Sequence, residues 1–108
     1  MVAANKEFHD AVLPRLEPLG EVTSKPMFGG YGVFHEGAMF ALISGDGLFF
    51  KVDDRNRERY TAAGSAQYKP MPYFRVPPDV LAEGTALLEW ARLSVEAAHT
   101  KPVKKPKR

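Results

Sequence analysis

Apolar residues in this chain gather in three short runs between residues 27 and 53, separated by polar, glycine-bearing steps. The runs are Met27-Phe28-Gly29-Gly30-Tyr31-Gly32-Val33-Phe34, Met39-Phe40-Ala41-Leu42-Ile43 and Leu48-Phe49-Phe50-Lys51-Val52-Asp53. Runs of this length joined by glycine turns predict an antiparallel meander, with hairpins over 34–38 and 44–47 where glycine supplies the positive φ that strand twist requires. In the second run, alternation puts Phe40 and Leu42 on one face and Met39, Ala41 and Ile43 on the other. Both faces are then apolar, so this strand should be central and covered on both sides. The third run alternates Leu48, Phe50 and Val52 inward with Phe49, Lys51 and Asp53 outward, as for a strand with one wetter face. Phe49 becomes a candidate contact residue on that side. Residues 22–28 read as a strand preceding the first hairpin.

Ahead of the meander, Phe8, Val12, Leu16 and Leu19 recur at helical spacing and predict a helix lying on the sheet, capped by Asn5. Pro14 would remove the bond to the Asp10 carbonyl and crowd the preceding turn, so a kink or break is expected near Val12 and Leu13. Pro18-Leu19-Gly20 ends the pattern, with Gly20 in the left-handed C-terminal position. After the meander, Asp53 and Asp54 are expected to open a helix that reaches about Ala63 and stops at Gly64. Residues 73–76 read as a strand, and Pro70, Pro72, Pro77 and Pro78 around it suit a sheet edge or the strand's first residue. Residues 79–83 suit a single turn. From Thr85 a last helix sets Leu87, Leu88, Ala91, Val95 and Ala98 against Glu89, Arg92, Glu96 and His99, which lays it across the sheet. This order predicts an α+β domain over residues 1–100, an antiparallel meander flanked by helices, without internal repeats.

Composition narrows the class. A chain of 108 residues with 44% hydrophobic content makes one domain that needs no metal or disulfide to fold. Having no cysteine removes thiolate zinc sites and cysteine nucleophiles together. The longest uninterrupted apolar run, 38–43, is far short of the roughly 20 residues of a membrane helix, and the N-terminus turns acidic at once instead of forming a secretory signal. A cytoplasmic protein with no membrane partner is expected. The net charge of +2 is unevenly placed: Lys101, Lys104, Lys105, Lys107 and Arg108 stand in a tail without acids. With those five set aside, 10 Lys and Arg face 13 Asp and Glu, a net of −3 over residues 1–100. Such a body lacks the broad electropositive face of a duplex-DNA binder. The tail, lysine alternating with proline, is expected to be disordered.

Candidate chemistry is sparse. Gly29, Gly30 and Gly32 lack dinucleotide-fingerprint spacing and lead into a strand instead of a helix N-terminus, so they read as a bend that lets Phe28 and Tyr31 pack while backbones approach closely. His9, His35 and His99 show no ligand spacing, so neither a metal nor a cofactor is expected. Asp53 and Asp54 read as caps complementing a helix dipole. Arg55 and Arg59 would share a helix face and, with Arg57, could grip phosphates, although Asp54 and Glu58 neutralise part of that charge. No serine or threonine stands in a nucleophile-elbow pattern.

The ordered set Lys25-Pro26-Met27-Phe28-Gly29-Gly30-Tyr31-Gly32, Met39-Phe40-Ala41-Leu42-Ile43, 48–57, Met71-Pro72-Tyr73-Phe74-Arg75-Val76-Pro77 and Leu87-Leu88-Glu89-Trp90-Ala91 resembles the N-terminal domain of TfoX/Sxy-type regulators of bacterial competence. The resemblance covers about residues 8–98. It implies an α+β domain similar in fold to the dimeric secretion-chaperone-like group, a bacterial cytoplasmic setting and a role near transcriptional control of DNA uptake. It supplies no catalytic residues. Full-length regulators of this type add a helical C-terminal domain, where this chain carries the lysine and proline tail.

The expectation is a non-catalytic regulatory or adaptor module that binds a protein partner, as a homodimer, through an exposed sheet face or edge bearing Phe49, Tyr73 and Phe74. The alternative is weak, nonspecific nucleic-acid association through Arg55, Arg57 and Arg59 with Lys104 and Lys105. An enzyme would need a cleft gathering Asp53, Asp54, Arg75 and His35.

Overall fold

The computed structural model describes residues 6–27, 29–45, 47–68 and 71–99. Helix α1 (Lys6–Leu16) and a short 3-10 turn (Glu17–Leu19) lead into strands β1 (Val22–Met27), β2 (Gly30–His35), β3 (Ala38–Ser44) and β4 (Gly47–Lys51). Helix α2 (Arg57–Ala62), strand β5 (Tyr73–Arg75) and helices α3 (Pro78–Ala82) and α4 (Gly84–His99) follow. The strands form one antiparallel sheet in the order β1-β2-β3-β4-β5, an α+β meander as the glycine turns predict. At the first hairpin His35 pairs with Ala38, and both intervening residues take positive φ, 48° at Glu36 and 85° at Gly37, matching the right-handed strand twist.

The helices cover one face of this sheet. Val12 and Leu16 of α1, Tyr60 of α2, Val80 of α3 and Leu87 and Ala91 of α4 join Val33, Phe40, Ala41, Ile43, Leu48, Phe50 and Phe74 in the main core. The inward set Leu48, Phe50 and Val52 is buried as the alternation predicts. A smaller cluster of Leu42, Phe49 and Tyr73, packed by Met39, Tyr68 and Met71, occupies the opposite face. Strand β3 is therefore central and covered on both sides.

Its faces are divided differently from the simple alternation. Val33 pairs with Ala41 and Phe34 with Met39, so Phe40 is left unpaired in a β-bulge. The extra residue breaks the period of two. Phe40 joins Ala41 and Ile43 on the helical side, while Met39 and Leu42 face the other way.

Three helix expectations need correction. Helix α1 runs from Lys6 to Leu16 without a break at Pro14. Pro14 and Asp10 both lie on the exposed side, where water can satisfy the Asp10 carbonyl that loses its donor. Gly20 takes a positive φ of 91°, but with ψ 138° it turns the chain into β1 outside the left-handed helical region. Helix α2 begins at Arg57, not at Asp53. Residues 53–56 instead form a turn in which the Asp53 carbonyl accepts from the amides of Asn56 and Arg57, while its carboxylate accepts from the Arg55 amide. A side chain that bonds its own backbone two residues on favours that turn over a helical start. The expected Asn5 cap and the Phe28 packing lie outside the described residues.

The turn is held by Asn56, which sequence reasoning passed over. Asn56 is buried, accepts from the Asp53 amide at 2.8 Å and donates to the Lys51 carbonyl at 3.1 Å. Ser94 of α4 donates to the same carbonyl at 2.8 Å, so the end of β4 is tied to both α2 and α4. Tyr60 lies beside this arrangement, its ring against Phe74 and Trp90, and its buried hydroxyl has no hydrogen-bond partner among the described residues. Ser94 lies close to it: its proton is committed to the Lys51 carbonyl, but its oxygen keeps lone pairs that can accept from the phenol when that hydroxyl turns toward it. Burial pushes the Tyr60 phenol well above its usual range. Tyr60→Phe keeps the ring and removes a buried hydroxyl that is at best weakly bonded, so denaturation should show a change from near zero to about 1 kcal/mol of added stability.

Candidate functional site

The sheet face away from the helices carries the candidate site. Side chains paired across neighbouring strands share a face, so the pairings Lys25 with Gly32, Gly32 with Leu42, Leu42 with Phe49 and Phe49 with Arg75 trace one row across all five strands. Phe34 pairs with Met39 on the same side. At the second position of the row, on β2, a side chain at Gly32 would stand 2.7 Å from the Met27 sulfur and 3.2 Å from both the Met39 sulfur and the Phe34 ring. The glycine thus leaves room for two thioethers and an aromatic edge to converge. Met27, Phe34, Met39, Tyr68 and Met71 all remain partly exposed. Thioether chains on a surface repack easily against differently shaped partners.

Cations border this apolar ground. Lys25 Nζ lies 5.5 Å from the Phe34 ring centre, Lys51 Nζ 5.9 Å from Tyr73, and the Arg75 guanidinium 5.9 Å from Phe49. Each sits over an aromatic face that attracts positive charge.

The structure places the expected contact residues deeper than the alternation implied. Phe49 is only 8% exposed, because Tyr68 meets it edge-on at 5.3 Å and Met71 joins the same cluster. Tyr73 is 4% exposed, and its hydroxyl donates to the Met39 carbonyl at 3.3 Å. Phe74 pairs with Phe50 and belongs to the helical side. The segment 65–68 causes this cover: the Tyr68 amide donates to the Tyr73 carbonyl and the Arg75 amide to the Ala66 carbonyl, so β5 has a backbone neighbour along its outer edge. The other edge, β1, carries Lys25 and Pro26, which blunt strand addition.

Burial pushes the Tyr73 phenol up to about 12. A tyrosine in the unfolded chain titrates near 10, so from about pH 10 to 12 the folded state holds a proton that the unfolded state has lost. That contribution to stability is complete below about pH 10 and lost as pH rises through the folded value. The denaturation midpoint should fall in this window, and fall less in Tyr73→Phe.

The arginines do not form a cluster. Arg55 precedes α2 and pairs with Asp53 at 3.1 Å and Glu96 at 3.5 Å, so the shared helix face with Arg59 does not exist. Arg57 lies 3.9 Å from Asp54, and Arg59 stacks over Trp90. Lys104 and Lys105 lie outside the described residues. The glycines do permit close approach: Gly29 takes a φ of 71°, and a side chain at Gly30 would lie 2.0 Å from the Ile43 carbonyl oxygen.

The four residues named for an enzymatic cleft make different contacts. Asp53 holds Arg55, Asp54 is paired with Arg57, Arg75 lies over Phe49 on the outer face, and His35 contacts the Leu19 carbonyl and His99. A serine, histidine and aspartate do meet elsewhere, with His9 Nε2 2.8 Å from Ser24 Oγ and Nδ1 2.9 Å from Asp10 Oδ1. Ser24 stands in mid-strand, not on a sharp turn, and Tyr31 stacks on the imidazole at 4.0 Å. This trio fastens α1 to β1, as Arg15 fastens α1 to α3 by donating to the Leu81 carbonyl.

His35 and His99, distant in sequence, lie in contact, with Glu36 beside them. No local spacing of histidines announces this meeting.

Among the described residues, no helix is long and apolar enough to cross a membrane. No curated protein matches the chain at a significant level. A family model described as the TfoX N-terminal domain matches residues 15–98, which takes in all five strands, α2, α3 and nearly all of α4. On that match, and with the α+β meander it spans, the chain belongs to the TfoX N-terminal domain family.

Proposed function

We propose that this domain is a non-catalytic regulatory module of the competence-regulator kind, which acts by docking a protein partner on the outer face of its sheet. The observation that carries this reading is the half-exposed group Met27, Phe34, Met39 and Met71 with Lys25 and Lys51 on its border. A face that is apolar at its centre and cationic at its rim suits a partner that presents an aliphatic or aromatic knob flanked by carboxylates. Two copies of the face brought together would oppose their cations, so a different protein is favoured over a homodimer. The homodimer expected through Phe49 loses its main support, since Tyr68 and Met71 cover that ring.

Selection of displayed peptides on the purified domain tests this. The recovered sequences should combine acidic with large apolar residues, and their affinity should fall at least about tenfold in Phe34→Glu and in the double variant Lys25→Glu, Lys51→Glu. Recovered peptides without acids, or equal affinity for the variants while circular dichroism shows them folded, would refute the docking face.

Nucleic-acid association through Lys104 and Lys105 is supported by the charge asymmetry of the chain alone. The pairing of Arg55 and Arg57 with carboxylates and the stacking of Arg59 over Trp90 weaken support for the folded part of that reading.

A further inference from the structure

We infer that His35, Glu36 and His99 form a binding site for a divalent transition-metal ion of the zinc class. One ligand atom from each of the three side chains can be chosen so that all lie within 4.8 Å of one another, and His35 Nδ1 is 2.9 Å from His99 Nε2. Two imidazole nitrogens and a carboxylate are donors that suit zinc, nickel or copper, while magnesium and calcium prefer an all-oxygen set.

The strongest indication is the state of His35. Its Nε2 lies 3.1 Å from the Leu19 carbonyl, which can only accept, so in the neutral ring Nε2 carries the hydrogen and Nδ1 carries the lone pair. That is the arrangement of a ligating histidine, whose second nitrogen donates to a backbone carbonyl that fixes tautomer and ring direction. His35 is also held on a rigid element, as the last residue of β2 paired with Ala38, and its side chain is only 13% exposed.

Without a metal, the His99 Nε2 hydrogen fills the gap by donating to His35 Nδ1. An ion takes the place of that single proton. With metal–nitrogen bonds of about 2.05 Å, two imidazole nitrogens stand about 2.9 Å apart at a right angle and about 3.3 Å apart at the tetrahedral angle. The observed 2.9 Å is at the lower end of that span, so the rings need to turn and part by a few tenths of an ångström. The Glu36 carboxylate stands 4.0 Å from His35 Nε2, so its side chain, 59% exposed, has to swing round to the Nδ1 side, and His99, at the end of α4, can turn to meet it. Three protein ligands leave a coordination position for water, which makes the site exchangeable. A bound ion would tie the β2–β3 hairpin to the end of α4, two elements 64 residues apart in the chain.

Titration of the full chain, free of any purification tag, with zinc ion tests the inference by calorimetry and thermal unfolding. One equivalent should bind and raise the unfolding midpoint, and a chelator should reverse the shift. His99→Ala and His35→Gln should each weaken binding by at least about tenfold, whereas His9→Ala should leave it unchanged. Glutamine at 35 retains a donor for the Leu19 carbonyl, and an unchanged circular dichroism spectrum will show that both variants fold. Absence of zinc binding by the wild-type chain would overturn the assignment. So would binding that survives in the folded His35 and His99 variants, or that disappears equally in His9→Ala.

Discussion

Replacing Phe50 by alanine should destabilise the domain by about 3–5 kcal/mol. Phe50 has no exposed surface, pairs with Ala41 and Phe74 on either side and lies against the Phe40 ring at 6.1 Å, so the vacated space is walled by a sheet on one side and helices on the other. Neither wall can collapse freely. Against a typical total of about 5–15 kcal/mol, this is a large fraction, and chemical denaturation should show a much lower midpoint. Lys51→Ala, one residue on, gives up only a partly exposed cation over Tyr73 and should cost about 0.5–1 kcal/mol. The reverse order would mean that β4 is shifted by one residue. Phe49→Glu is not a clean surface substitution, because it places a carboxylate between Leu42, Tyr68 and Tyr73 and should unfold the outer cluster.

Gly30→Ala should come next, at about 3 kcal/mol or more, since overpacking against backbone has no easy relief. An added methyl group would stand 2.0 Å from the Ile43 carbonyl oxygen and 3.1 Å from its carbon, so β2 and β3 would have to separate where their pairing is closest to the Gly45 turn. The neighbouring glycines provide the controls. Gly29→Ala meets open space and suffers only its positive φ, a cost of about 1–2 kcal/mol. Gly32→Ala presses on the ends of Met27 and Met39, which can swing away, so a folded protein with an altered outer face is expected. Equal effects at 30 and 32 would contradict the close approach of the two strands.

The meander was legible because its signals are local: apolar runs of strand length and glycines where a hairpin needs positive φ. The edge position of β5 was legible from its prolines for the same reason. The faces of β3 were not, since alternation presumes an unbroken period and nothing in Met39-Phe40-Ala41 announces the bulge at Phe40. The start of α2 was misplaced because an aspartate that caps a helix and one that closes a turn look alike until Asn56 is seen bonding back to Asp53 and Lys51. The outer face was half legible. Its aromatic content showed in the sequence, but the cover of Phe49 by Tyr68 depends on how residues 65–68 return along β5. The meeting of His35 with His99 depends on α4 crossing the sheet, and no spacing rule reaches over 64 residues.

The claim that the outer sheet face docks a protein is tested most directly by placing a photo-crosslinking amino acid at Phe34 and, in a parallel chain, at Arg92 on the exposed side of α4. Irradiation in the native cell followed by mass spectrometry should give an adduct from position 34 to a defined acidic segment of another protein, lost on Lys25→Glu with Lys51→Glu and absent from position 92. Equal adducts from both positions, an adduct only to a second copy of this chain, or one that nuclease removes would contradict it.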